Sequence, residues 1–208
     1  LLADGNVKRE IVEIIIPHFK IGYTFDVNQT EGKPLVELSQ QLTGELTDSQ
    51  KELKDALLQI SPVPVSFQPI EGSANGFYSL DKNVITVDST LSEKQSVKTL
   101  IHEIAHATIH NINIPDVPKD SPTREVQAES IAYVVCKYFG MDVSDYSFGY
   151  IAGWSTGKNT KELKESLEII RDTSNNIISK TEQTLTQMQS VKQKVSETIQ
   201  PRRRGRCM

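Results

Sequence analysis

The run His102-Glu103-Ile104-Ala105-His106 concentrates more reactive chemistry than any other stretch of the chain. On an α-helix, positions i and i+4 share a face, about 40° apart. Two neutral imidazoles projecting from one face can share a single Zn²⁺ at about 2.0–2.1 Å each. Glu103 stands about 100° around the helix from His102, badly placed as a third ligand on that face. It is well placed to reach a water on the metal and take its proton. Two ligands and one base form the H-E-x-x-H arrangement of zinc hydrolases. The competing reading is a helix that carries two histidines by chance. Against it, three of the four histidines in the chain (His102, His106 and His110) fall close together.

The motif needs a helix, and the flanking residues supply one. Ser92-Glu93-Lys94-Gln95 has the form of a capping box, which satisfies free amides at a helix start. Val97, Leu100, Ile101, Ile104, Ala105 and Ile109 then recur at spacings of three and four, giving an apolar stripe. Pro115 and Pro118 end the helix soon after His110. Upstream, Asn83 to Asp88 reads as a short strand of β-branched residues. At a sheet edge, such a strand would pair with an extended peptide and hold it across the metal.

A catalytic zinc usually keeps three protein ligands and one open position. Downstream candidates are Asp116, Asp120, Glu125 and Glu129. His110 lies four residues beyond His106, but one straight helix does not easily wrap three imidazoles around a tetrahedral ion. The longer metzincin pattern is absent, because Ile109 and Ile112 stand where Gly and a third His belong. Ser121-Pro122 looks like an N-cap followed by Pro at the first helical position. The helix it opens runs through Glu125, Ala128, Ile131, Ala132, Val135 and Phe139 to a C-cap at Gly140. Antiparallel packing across the small Ala faces would bring a glutamate from this helix to the two histidines. The competing reading makes both glutamates solvated surface acids.

Glu125-Val126-Gln127-Ala128-Glu129-Ser130-Ile131-Ala132 resembles the E-x-x-A-[D/N/E]-x-x-A helix of gluzincin-like and ImmA/IrrE-type metallopeptidases. The resemblance implies that Glu125 is the third zinc ligand and that Glu129 orients a ligand histidine from behind. Glu129 stands where Asp or Asn is commoner, so the two glutamates could exchange roles. Gly22 to Gly32, Thr99 to His110 and Asp145 to Ser155 together look like the C-terminal peptidase domain of ArdC-type antirestriction proteins. Tyr146-Ser147-Phe148-Gly149-Tyr150-Ile151-Ala152-Gly153-Trp154 is the most distinctive part of that likeness. The similarity spans roughly residues 15 to 180. It implies a protein or peptide substrate, a mobile-element origin, and single-stranded DNA bound through a separate N-terminal module. The chain begins at Leu1 rather than Met and has little room for that module, so a fragment of a larger protein is expected.

The chain has 208 residues, enough for one domain plus an appendage. Its net charge of −4 argues against a nucleic-acid surface spread over these residues. Hydrophobic residues make up only 37%, because the last fifty or so positions are polar. No apolar run approaches the roughly 20 residues of a membrane span, and no signal-peptide pattern opens the chain. Ile14-Ile15-Ile16 reads as a strand leading into Pro17. Two cysteines make no disulfide framework; Cys136 reads as a reduced core residue, and Cys207 lies in a tail. A bacterial cytoplasm is the expected compartment.

Residues 1–46 are expected to be an extended N-terminal segment, 47–178 a zincin-like metallopeptidase domain, and 179–208 a polar helical extension with a basic tail. Within the domain, Asp48 to Ile60 reads as a helix. Val65 to Ile70, Phe77 to Leu80 and Val84 to Val87 suggest a small antiparallel sheet. Strands followed by paired helices indicate an α+β class, and by family analogy the minimal zincin arrangement. From Lys161, two interleaved heptad series begin with Leu163, Ile170, Ile177 and with Leu167, Ser174, Thr181. Their polar members weaken the seam beyond Ile178, so a long C-terminal helix with a frayed end is expected. Arg202-Arg203-Arg204-Gly205-Arg206 reads as a solvated tip. Tyr146 or Tyr133 could donate to an oxyanion. Aromatic packing around the site is the stronger reading for Tyr146, Phe148, Tyr150 and Trp154. The rival function is a non-catalytic zinc-containing module of a DNA-protecting antirestriction protein, for which a general base at Glu103 has no use.

Overall fold

The computed structural model describes residues 41–111, 113–114, 117–118, 120–143, 155 and 158–199. The stretches 11–30 and 144–154, with Asp116, Cys207 and the arginine tip, lie outside the described residues. Helix α1 covers Asp48–Ile60, as its sequence pattern indicates. Its Thr47 cap and Gln50 exchange both bonds of a capping box. Three strands follow: β1 at Val65–Gln68, β2 at Gly76–Ser79 and β3 at Val84–Asp88.

The sheet order is β1-β3-β2, with β1 parallel to β3 and β2 antiparallel to it. The sheet is therefore mixed, where a wholly antiparallel one was expected. Its ordering follows from burial. Val84-Ile85-Thr86-Val87-Asp88 is the strand richest in β-branched residues, and it takes the centre. Ile85 and Val87 are fully buried on one face and Thr86 nearly so on the other. Asn83 sits at φ 51° in the turn joining β2 to β3, a conformation that asparagine tolerates. Because β3 is central, it has no free edge for a peptide. Among the described residues, that role falls to β2.

Helix α2 (Glu93–Ile109) packs on β2 and β3 and against α3 (Ser121–Tyr138). Its expected stripe is the core: Val97, Leu100, Ile101, Ile104 and Ala105 are all buried. Yet Gln95, Ser96, Lys98, Thr99 and Glu103 are buried as well. This helix is covered over most of its surface, with the His102 and His106 face left at a cleft, and its buried polar residues must find partners inside the protein. Ser92 caps it by accepting the Gln95 amide at 3.2 Å. The reciprocal half of the box is missing, because the Gln95 side chain instead accepts from the Leu42 N–H at 2.9 Å.

Helix α3 starts one residue earlier than its Ser-Pro signal indicates. Asp120 is the cap, accepting from the Thr123 N–H at 2.9 Å, and Pro122 follows inside the first turn. At the other end, Gly140 adopts φ 70°. The Gly140 N–H reaches the Lys137 carbonyl and the Met141 N–H reaches the Cys136 carbonyl, the two bonds of a Schellman motif.

Helix α4 runs unbroken over Thr160–Ile199 and packs on α3 and α1. Asn159 opens it by accepting from the Lys161 and Glu162 amides. The buried face agrees with the heptad reading at Ser174, Ile177 and Thr181 and departs from it at Ser166, Thr173 and Leu167. Ser166, Thr173, Ser174, Ile177, Ile178 and Thr181 are inside, whereas Leu167 is 63% exposed. Small side chains let α4 come close to α3, and a leucine on that line would hold it off. Farther along, Lys192 bonds Glu52 at 2.8 Å, so contact with α1 continues past the expected fraying point.

Gly140 offers a clean stability test, since an added Cβ there meets nothing within 4 Å. Gly140→Ala should lose about 1–2 kcal/mol through backbone strain alone, read as a lower urea midpoint at unchanged slope.

Candidate metal centre

His102 and His106 project from the same face of α2, with Nε2 atoms 3.1 Å apart. Opposite them, on α3, Glu125 places Oε2 at 3.5 Å from His102 Nε2 and Oε1 at 3.6 Å from His106 Nε2. These three side chains form the one group of ligand type gathered tightly enough for a metal among the described residues. The spacing discriminates. Ligands about 2.0–2.1 Å from a tetrahedral zinc are separated from one another by about 3.3–3.4 Å. The Nε2–Nε2 separation of 3.1 Å is close to that figure, and each oxygen of Glu125 faces one of the two nitrogens, so this two-imidazole, one-carboxylate donor set suits such an ion.

The two helices meet in opposite directions. Glu125 faces His102 and His106, while Glu129, one turn later, faces His102 and Lys98. Glu129 Oε2 lies 2.6 Å from His102 Nδ1, and its Oε1 lies 3.2 Å from Lys98 Nζ. A carboxylate behind a ligand imidazole fixes the ring and its tautomer. Of the two glutamates, Glu125 stands at the imidazole Nε2 atoms and Glu129 stands behind. The other histidine is backed differently: His106 Nδ1 lies 2.8 Å from His110 Nδ1. His110 Nε2 is in turn 2.9 Å from Gln127 Oε1, and Gln127 Nε2 donates to Ser166 Oγ at 3.1 Å.

Electrostatics follow from this pairing. Burial pulls His102 down, but hydrogen bonds to Glu125 and Glu129 outweigh it and hold the imidazole up at about 10. Those bonds to His102 and His106 hold Glu125 far below the carboxylate range. Burial raises Glu129, and its bonds to His102 and Lys98 bring it below its ordinary value. His110 is pushed down to about 4, chiefly by burial. Burial also raises Glu103 above its ordinary value, despite the nearby histidines and a bond from the Tyr78 N–H. A buried carboxyl with a raised pKa at the wall of a cleft is suited to moving protons.

Glu103 shares that cleft with Gly76, Phe77, Leu80, Arg124 and the ligand cluster. Gly76 is needed for the fit of β2 on α2. A Cβ there would lie 2.6 Å from Thr99 Cγ2, 3.0 Å from the Thr86 carbonyl and 3.4 Å from Glu103 Cγ.

Asp120, a sequence candidate for the third ligand, is occupied as the α3 cap and pairs with Lys158 at 3.6 Å. Tyr133 packs against the core and is absent from the cleft lining. Tyr146 falls outside the described residues. Cys136 is a free buried thiol pushed up to about 12 by burial, an inert core residue. Sequence reading missed Lys98, Gly76 and Gln127, and gave His110 no part. The available signals were Lys98 and His110 continuing the four-residue spacing of the histidines on both sides.

Residues 59–146 match the model of a peptidase family described as an IrrE N-terminal-like domain. This supports the ImmA/IrrE side of the resemblance. An uncharacterized protein of Bacillus anthracis is 28% identical over 192 residues, covering 83% of this chain and 32% of that protein. The chain thus spans about a third of the length of that relative. No solved structure matches the chain. Among the described residues, no helix is long and apolar enough to cross a membrane.

The two perturbed histidines set a pH profile for the metal-depleted protein. His102, raised from 6.5 to about 10, stabilises the fold fully below pH 6.5 and loses that contribution as pH rises toward 10. His110, lowered to about 4, contributes fully above pH 6.5 and loses its contribution as pH falls toward 4. Calorimetry in chelator should therefore find the highest melting temperature near pH 6.5. A steady climb from pH 7 to 9 would contradict the paired His102.

Proposed function

We propose that this chain carries the catalytic centre of a zinc-dependent metallopeptidase. The observation that carries the reading is the convergence of His102, His106 and Glu125 beside the buried carboxyl of Glu103. The peptidase-family match over residues 59–146 supports it. His102, His106 and Glu125 would hold the ion. When bound, zinc supplies Lewis acidity, polarising a scissile carbonyl and lowering the pKa of a water to about 7.

The remaining work belongs to side chains and backbone. Glu103 takes the proton of the attacking water and passes it to the leaving amine. The Tyr78 N–H, bonded to Glu103, keeps that carboxyl turned toward the cleft. Glu129, held by Lys98, keeps Nε2 of His102 directed at the ion. An extended peptide adds along the open edge of β2, with Phe77 and Leu80 beside its side chains. Arg124 supplies a positive charge in the same cleft.

We further infer an ArdC-type antirestriction context, in which this domain acts in the bacterial cytoplasm on a protein substrate. A separate module of a longer protein would bind single-stranded DNA. The Asp145 to Ser155 run supports that context, and the matched stretch covers only 32% of the Bacillus anthracis relative, which leaves room there for a further module.

Hydrolysis of a peptide library by the zinc-loaded chain, read by mass spectrometry of new termini, tests the reading. Glu103→Gln should keep its zinc and lose about 10²–10⁴ in rate. Full activity in that variant would refute the base, and zinc binding without hydrolysis in the parent chain would favour the non-catalytic module. Gly76→Ala should lower turnover at least tenfold with zinc content unchanged, because the new methyl pushes β2 and Tyr78 away from Glu103.

A further inference from the structure

His106 and His110 meet through their Nδ1 atoms at 2.8 Å. A hydrogen bond between two ring nitrogens contains one proton: two N–H groups repel, and two lone pairs do not bind. His106 turns Nε2 into the ligand cluster, and a coordinating nitrogen carries no proton, so the proton of its neutral ring is on Nδ1. His110 Nδ1 is then the acceptor, and the His110 proton must sit on Nε2. That nitrogen lies 2.9 Å from Gln127 Oε1, an acceptor. The Gln127 amide thereby points Nε2 at Ser166 Oγ, 3.1 Å away on α4. Every bond in the series runs in one direction, and each assignment fixes the next.

The series is largely buried, with His110 at the border of the cleft. His110 is 5%, Gln127 1% and Ser166 6% exposed, so water has little access to exchange partners. Both nitrogens of His110 are committed, which removes it as a fourth ligand. It also lies outside the cluster that can share an ion.

We propose that His110 is a positioning residue for the metal centre. It fixes the His106 tautomer and ring plane from behind, while Gln127 and Ser166 lock its own tautomer and tie the centre to α4. This rests on the zinc reading above. It assigns to His106 a neutral imidazole support where His102 has a carboxylate.

Long-range ¹H–¹⁵N spectra of the zinc-loaded full chain read the tautomers directly. His106 should appear as the Nδ1–H form and His110 as the Nε2–H form. Zinc affinity by chelator competition supplies the second measurement. His110→Leu should bind zinc about 10–100-fold more weakly. His110→Gln, whose amide can accept from His106 and donate to Gln127, should stay within roughly threefold of the parent chain. Gln127→Met should weaken binding in the same direction by a smaller factor. An Nδ1–H form of His110, or a His110→Leu variant with parental affinity, overturns the proposal. If His110→Leu does not fold, the spectrum of the parent chain decides. A parent chain that binds no zinc overturns the metal reading itself, a result distinct from either.

Discussion

Two imidazole nitrogens held 3.1 Å apart on a largely buried helix must share something positive. Two lone pairs repel at that distance, as do two N–H groups. A proton bridges them in the absence of an ion, and the adjacent carboxylates of Glu125 and Glu129 explain why His102 holds one so firmly. A divalent cation satisfies the same lone pairs and the same carboxylates at once. The groups that raise the pKa of His102 are therefore the groups that fit the site for metal, and binding the ion means releasing the proton.

The enclosure of α2 has a second consequence on its sheet side. Glu103 is 5% exposed, and its carboxyl is far costlier to bury than an apolar residue unless it is bonded. The strand that supplies the bond is β2, through the Tyr78 N–H. It reaches α2 closely only because residue 76 has no side chain. The central place of β3 makes this arrangement possible. By taking the buried middle of the sheet, it leaves β2 at the cleft with one side paired and the other turned toward the site. A strand order read from chain order alone put the edge in the wrong place.

Much of this was legible in the residues. The i, i+4 histidines, the helix over Asp48–Ile60, the apolar stripe of α2 and the glycine closing α3 are local signals, and local geometry decides them. Glu125 and Glu129 were legible as a pair, since both lie on one helix face; their separate stations depend on how α3 lies across α2. The sheet order and the first turns of the inward face of α4 were not legible, because both are settled by competition for burial between elements distant in sequence. Ser166 in place of Leu167 is the clearest instance. Hydrophobicity favours the leucine, whereas close approach of α4 to Gln127 requires the smaller residue. Lys98 was hidden for a related reason. A lysine in an amphipathic pattern reads as solvent-facing, and the presence of Glu129 behind His102 helps to make its burial tolerable.

The unlike supports of the two histidines make sense as charge balance. A divalent ion beside ionised Glu125 and Glu103 would leave a centre with no formal net charge. Glu129 adds one negative charge behind His102, and Lys98, 6% exposed and 3.2 Å away, cancels it. A second carboxylate in place of His110 would leave one negative charge uncompensated in a buried region, at a cost that low dielectric magnifies. It would also feed more electron density to the ion through His106 and blunt its Lewis acidity. A neutral imidazole avoids both effects while still fixing the ring. Its own proton then needs an acceptor that is neutral too, which Gln127 supplies, and the spare amide hydrogens of Gln127 need one in turn. Among the described residues, α4 supplies that acceptor at Ser166. In this way, the demand for a neutral support behind one ligand extends through three side chains to the longest helix of the described residues.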